Sequence, residues 1–130
     1  MFDNQHIQPD QILPDNQDTE ILEIAAEPYP DRRRIKVLFR LSSFSSAPSG
    51  SITLSNEDNE ILVTTSMVNI FHPENEVTLH LPANKNHPGQ YSVTLEIFSM
   101  IEEDTASEDG PKTILKQINK KSRSCSFEIQ

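Results

Sequence analysis

The sequence predicts an all-β protein: an antiparallel sandwich of seven or eight short strands that follows a flexible N-terminal tail. Two observations carry this prediction. Apolar and polar residues alternate with the period of a half-buried strand in most segments after residue 18. Turns rich in Pro, Asn, Asp and Ser separate these segments at intervals of roughly 10 to 15 residues, which is typical of an antiparallel sandwich rather than of a parallel α/β sheet.

Length and composition indicate one domain, residues 19–130, preceded by a tail, residues 1–18. A chain of 130 residues is long enough to bury a core without covalent help, although only 35% of its residues are apolar. The tail mixes Asp, Asn, Gln and Pro with isolated apolar residues and shows no period, so we expect it to be flexible and acidic. Within it, Ile12 and Leu13 could anchor the tail to a neighbour or to the domain.

Several segments alternate clearly enough to predict which side chains face inward. These are Ile35, Val37, Phe39 and Leu41; Ile52 and Leu54; Val77, Leu79 and Leu81; Tyr91, Val93, Leu95 and Ile97; and Cys125, Phe127 and Ile129. Between two of the strands, residues 56–59 (NEDN) predict a hairpin turn. Residues 19–27 fit a strand but also a short helix face, and a helix is conceivable over residues 112–118.

The stretch HPGQYSVTLEIF, residues 87–98, carries a resemblance to a known family. It places Tyr91 just after a polar corner and at the start of a strand. This resembles the tyrosine corner of immunoglobulin-like sandwiches, in which the Tyr hydroxyl hydrogen-bonds to upstream backbone between the fifth and sixth strands. Because the chain has no Trp and one Cys, it looks more like the disulfide-free fibronectin type III-like relatives. The resemblance implies a fold and says almost nothing about function.

Charge and cysteine content restrict the partners and the compartment. Eleven Lys and Arg against 20 Asp and Glu give a net charge of −9, which disfavours nucleic acid and membrane surfaces as partners. The only Cys, Cys125, has no CxxC context, and the N-terminus has neither the basic start nor the apolar run of a secretory signal. No apolar window approaches the length of a membrane helix. We therefore expect a soluble, cytoplasmic protein.

The charges are unevenly distributed along the chain. Residues 3–31 contain eight acids and no base, whereas residues 112–123 contain five bases and no acid. The basic stretch lacks the interleaved aromatic residues of a nucleic-acid surface. We expect it to meet an acidic partner or the acidic N-terminus of the chain itself.

No catalytic motif is present, and we expect neither enzymatic activity nor a bound cofactor or metal. The sequence lacks GxSxG, HExxH and a glycine-rich phosphate loop. His72, His80 and His87 are not spaced as ligands on one strand, so they are interpreted as solvated surface residues. Cys125 is interpreted as a small core residue. Residues 102–110 are interpreted as an acidic, solubilising loop, because EEDTASEDG does not match an EF-hand loop.

The candidate functional surface consists of Leu38, Phe98 and Met100, apolar residues that the alternation places on outward faces. The competing interpretation is that they turn inward through a β-bulge. Outward, they would suit a protein interface or a cover for the tail. The leading hypothesis is therefore a small non-enzymatic protein that binds another protein or self-associates. The alternative is a carbohydrate-binding module of sandwich type, which Tyr29 and Tyr91 support only weakly.

Overall fold

The computed structural model describes residues 19–105 and 110–130. All of the regular secondary-structure elements in these residues are β-strands. The predicted tail and residues 106–109 of the predicted acidic loop lie outside them. The described strands are β1 (Ile21–Pro28), β2 (Arg34–Leu41), β3 (Ser49–Asn56), β4 (Ile61–Met67), β5 (Glu74–His80), β6 (Gly89–Thr105) and β7 (Lys112–Ile129).

The strands form two antiparallel sheets. One has three strands in the order β1-β2-β5, and the other has four in the order β4-β3-β6-β7. The predicted all-β, antiparallel, sandwich-like fold is confirmed, and the seven described strands fall within the predicted number.

The core lies between the sheets and is built from the alternating residues. Nearly all of the predicted inward side chains are buried, while Val77 and Cys125 are half-buried and pack against the same cluster. Ile70 and Ile21, which were not among the predicted inward residues, also belong to this core cluster. Phe44, the one aromatic residue of the β2–β3 loop, also packs against this core rather than facing solvent.

The two segments that the sequence left open are both strands. Residues 21–28 pair along their whole length with β2, with a bulge between Ile21 and Glu23. Residues 112–118 pair with the end of β6. In both segments cross-strand pairing supplies the partners for backbone groups that a short helix without a cap would leave unsatisfied. The predicted turn at residues 56–59 is also present: Asn56 Oδ1 accepts hydrogen bonds from the backbone N–H groups of Asp58 and Glu60.

Strands β6 and β7 continue past the body of the sandwich. The last residue of β6 that pairs with β3 is Phe98, whereas its pairing with β7 runs on to Thr105 and Lys112. We call residues 99–105 and 112–118 the arm. The interpretation of residues 102–110 as a loop is therefore wrong over Glu102–Thr105, where cross-strand contacts, such as the hydrogen bond from Thr113 Oγ1 to Asp104 Oδ1 (2.9 Å), hold an acidic strand.

A β-bulge separates the arm from the body. Between Ile97 and Ser99 the register with β7 shifts, and two residues of β7, Asn119 and Lys120, stand opposite Phe98 alone. Asn119 has a positive φ of 56°, the left-handed conformation that Asn tolerates. The extra residue lies on β7, so β6 keeps its alternation unbroken through the bulge.

Within the described residues, the fold contains no helix of the length and apolar character needed to cross a membrane.

Candidate functional site

The structure divides the predicted surface between the two sheets. Leu38 lies on β2, in the three-stranded sheet, whereas Phe98 and Met100 lie on β6, in the four-stranded sheet. The two sheets cover opposite sides of the core, so their outer faces point away from each other. The structure thus does not bring Leu38 together with Phe98 and Met100. The sequence could not predict this separation, because alternation shows which residues share a strand face but not which sheet a strand joins.

The outer face of the three-stranded sheet is charged around Leu38. Leu38 stands between Ala25 of β1 and Glu76 of β5. The rungs on either side hold ion pairs: Arg40 Nε lies 3.6 Å from Glu23 Oε1, and Lys36 Nζ lies 3.9 Å from Glu27 Oε1. Leu38 is therefore one large exposed apolar residue beside the small Ala25 and among charges, which is ordinary for a solvated sheet face.

The outer face of the four-stranded sheet is covered by hydroxyl groups over most of its area. One row across the four strands consists of Thr64, Thr53, Thr94 and Ser124. Within it the Oγ atoms of Thr94 and Ser124 lie 2.7 Å apart and share a hydrogen bond. The next row toward the arm is Ser66, Ser51, Glu96 and Ser122, and Glu96 is its one charge.

Toward the arm this hydroxyl surface gives way to an apolar groove of about 590 Å³. Phe98 is half-buried in it, and Met100 is 43% exposed. Val68, 78% exposed, and Leu115, 66% exposed, line the groove from β4's end and from the arm. The full lining is Ser49, Gly50, Ser51, Thr64, Ser66, Met67, Val68, Glu96, Phe98, Met100, Leu115 and Gln117.

The unbroken alternation of β6 places Phe98 and Met100 on this outer face. Ile97 is buried, so its neighbour Phe98 points away from the core, and Met100 follows two residues later on the same face. The competing interpretation placed a bulge on β6. The bulge lies on β7 instead, and there it changes the side chains that stand opposite β6 so that Gln117 pairs with Met100.

Gly50 lets the strands at the floor of the groove approach closely. A Cβ added at Gly50 would lie 2.3 Å from the backbone oxygen of Glu96 and 3.3 Å from Ile97 Cγ2. Any side chain at this position would therefore displace β6 from β3. The sequence did not predict this role of Gly50 or the place of Val68 and Leu115 in the groove, because all three depend on contacts between segments that are distant along the chain.

Tyr91 belongs to the scaffold. Its hydroxyl donates to the carbonyl oxygen of His87 and lies 3.2 Å from that of Lys85, so the predicted bond to upstream backbone is present. Its ring is buried and stacks on Phe127 with centroids 5.6 Å apart. Burial, with the nearby Glu57 carboxylate, raises the pKa of Tyr91 above its ordinary value. Tyr91 thus fixes the corner between β5 and β6.

The other candidate side chains do not form a reaction centre among the described residues. His72, His80 and His87 are exposed, and no three His, Cys, Asp or Glu side chains of residues 19–105 and 110–130 are placed to hold a metal ion. Cys125 is half-buried beside the core, and burial raises the pKa of its thiol, which disfavours the reactive thiolate.

Comparisons of the chain with protein-family models, with curated proteins and with solved structures give no match. The groove on the four-stranded sheet therefore provides the basis for assigning a function.

Proposed function

We propose that the protein is a non-enzymatic binding module with an immunoglobulin-like fold, and that it binds a segment of another protein in the groove around Phe98 and Met100. One observation carries the proposal: exposed apolar side chains from β4's end, β6 and the arm gather at one place on a face that is mostly covered by hydroxyl groups. An exposed apolar cluster rimmed by polar residues is the usual mark of an interaction site.

The strand order supports the immunoglobulin-like part of the proposal. In such sandwiches the first, second and fifth strand positions share one sheet and the third, sixth and seventh share the other. Here β1, β2 and β5 form one sheet, and β3, β6 and β7 lie in the other. The remaining strand, β4, pairs with β3, in the manner of the additional strand of variable-type domains. With the Tyr91 corner and no disulfide pair, this arrangement is closest to the fibronectin type III-like relatives.

Charge indicates the kind of segment that the groove would accept. Glu96 is the one charged residue in the lining, and the chain as a whole carries a net charge of −9. A partner segment that offers an apolar side chain to Phe98 and Met100 and a Lys or Arg to Glu96 matches both features.

The same charges favour a different protein over a second copy of this chain. Two copies meeting groove to groove across a twofold axis would bring their Glu96 carboxylates onto one small interface, where like charges repel. We therefore do not propose self-association through this face, and the sedimentation experiment below would detect it.

The geometry of the tyrosines does not favour the carbohydrate-binding alternative. Sugar binding commonly uses an exposed aromatic ring face, but Tyr91 is buried against Phe127. The Arg34 guanidinium carbon lies 4.2 Å from the centre of the Tyr29 ring and covers one face of that ring. Protein binding is therefore the function that the described surface supports best.

Selection from a displayed library of random 12-residue peptides on the purified full chain tests the proposal. We expect enriched peptides to combine an aromatic or aliphatic residue with Lys or Arg. The double variant M100S/L115S should weaken binding of a synthesised enriched peptide at least tenfold, because it removes exposed apolar contacts without opening the core.

Leu38→Ser provides the matched control. Leu38 is 41% exposed and Met100 is 43% exposed, so the control matches the Met100 part of the double variant on the opposite face. We expect it to leave peptide binding unchanged. If no peptide is enriched, if peptides bind M100S/L115S as tightly as the wild type, or if the chain dimerises through the groove in sedimentation experiments, the proposal is wrong.

A further inference from the structure

The inner face of the arm is the face that continues the core-facing side of β6 and β7, and it carries apolar residues beyond the end of the sandwich. Ile101, Ile114 and Ile118 share this face, and Ile114 is exposed. Lys116 stands opposite Ile101 on the same face, and its Nζ lies 3.6 Å from Glu103 Oε2. A two-stranded ribbon is at best marginally stable in water, so this face gains from a covering segment.

The start of β1 lies against β7 just below the arm. Glu20 Oε2 lies 2.9 Å from Lys121 Nζ, and Arg123 Nη1 donates to the carbonyl oxygen of Leu22 at 2.8 Å. Glu20 is itself fixed, because its backbone N–H and C=O both hydrogen-bond to Ser42. The chain therefore enters the described fold at the end from which the arm projects.

These two contacts also fix a direction. Each joins residues 101 positions apart, Glu20 with Lys121 and Leu22 with Arg123, so β1 and β7 run parallel here. If the same alignment continues toward the N-terminus, Asp15 comes within about one residue of Lys116 and Leu13 within about one residue of Ile114, allowing for the bulge.

We propose that residues 1–18 of this chain occupy the inner face of the arm, with Ile12 and Leu13 covering Ile114 and its neighbours and with Asp15 beside Lys116. This surface lies on the opposite side of β6 and β7 from the groove, so the proposal does not depend on the proposed function.

Charge complementarity supports this occupant. Residues 1–18 contain four acids and no base, whereas residues 112–123 of β7 contain five bases and no acid. Covalent connection adds to the attraction, because a tethered segment reaches an effective concentration in the millimolar range without any partner in solution. Eighteen residues span up to about 60 Å when extended, which is several times the roughly 20 Å length of a seven-residue arm strand.

A disulfide between engineered cysteines tests the placement. In a Cys125→Ser background of the full chain, we expect Leu13→Cys with Ile114→Cys to form an intramolecular disulfide under mild oxidation. Leu13→Cys with Ile61→Cys is the matched control, because Ile61 is 65% exposed but lies on β4, the opposite edge of the four-stranded sheet. The control pair should stay reduced, since a disulfide requires Cα atoms within about 7 Å.

Hydrogen exchange on the full chain gives an independent result. The variant I12S/L13S should raise the exchange rate of arm amides at least tenfold and leave those of β3 unchanged. Equal disulfide yields in the two cysteine pairs, disulfides formed only between molecules, or unchanged arm exchange in I12S/L13S would each overturn the proposal.

Discussion

The two outer faces of this sandwich use the same strand alternation to produce different surfaces. On the three-stranded sheet, the outward residues of β2 form ion pairs with β1, and Leu38 stands alone between them. On the four-stranded sheet, hydroxyl rows lead into a groove in which Phe98 and Met100 are joined by Val68 and Leu115. Leu38 and Met100 are almost equally exposed, 41% and 43%.

The difference shows that the exposure of a single apolar residue does not identify an interaction site. What distinguishes Met100 is its surroundings, which come from β4's end and from the arm, two segments distant in sequence. A binding partner desolvates neighbouring residues together, so a contiguous apolar patch contributes more than an isolated side chain among charges.

The largest expected effect is on the four-stranded sheet. Gly50→Ala would place a Cβ 2.3 Å from the Glu96 carbonyl oxygen, and because the obstacle is backbone, β3 and β6 must separate. We expect the free energy of unfolding to fall by about 1–3 kcal/mol, as for other overpacked sites. Urea unfolding measures this, with Ser51→Ala on the adjacent outward position as control. A loss below about 0.5 kcal/mol would show that the strands are not so closely held.

A smaller effect is expected at the corner that both sheets share. Tyr91→Phe removes the hydroxyl that donates to the His87 carbonyl and should lower the free energy of unfolding by about 1 kcal/mol. Peptide binding to the groove should not change, because Tyr91 faces the core. Loss of binding at full stability would contradict the assignment of Tyr91 to the scaffold.

The same residue predicts a pH dependence. The pKa of Tyr91 is raised in the folded protein above the ordinary value of 10.0, so folding favours its neutral form. This contribution is complete below pH 10.0 and is lost as pH rises through the folded pKa, because the unfolded chain ionises first. Unfolding measured from pH 9 upward should show a shallower decline for Tyr91→Phe than for the wild type; equal slopes would contradict the burial effect.

The smallest effect concerns the charged face. A double-mutant cycle on Glu23 and Arg40, both exposed, should give a coupling energy of about 0.2–1 kcal/mol that shrinks as salt is added. The neutral pair Thr94 and Ser124 on the other face is the control, since its coupling should not depend on salt. Salt-dependent coupling in both pairs would mean that the two faces do not differ electrostatically as described.

The sequence predicted the features that depend on local alternation. The buried faces of β2, β3 and β6 and the turn at residues 56–59 follow from residue type and spacing within about ten positions. The Tyr91 hydrogen bond follows from the resemblance of residues 87–98 to a tyrosine corner. Each of these features involves residues that are close together in the sequence, so it could be predicted without knowledge of the strand order in the sheets.

The features that depend on contacts between distant segments were not predictable in this way. Separation of Leu38 from Phe98 depends on which sheet each strand joins. The bulge at Asn119 and Lys120 depends on the register between β6 and β7. The acidic residues 102–104 have low strand propensity and form a strand because β7 supplies complementary partners.

The central claim is that a partner binds in the groove of the four-stranded sheet. It is tested most directly by NMR, in which an enriched peptide is titrated into the full chain carrying isotopically labelled methyl groups. NMR signals of Met100, Leu115 and Val68 should shift on binding, because these residues line the groove, while those of Leu38 should stay in place. Shifts centred on Leu38, or spread equally over both faces, would contradict the assignment of binding to the four-stranded sheet.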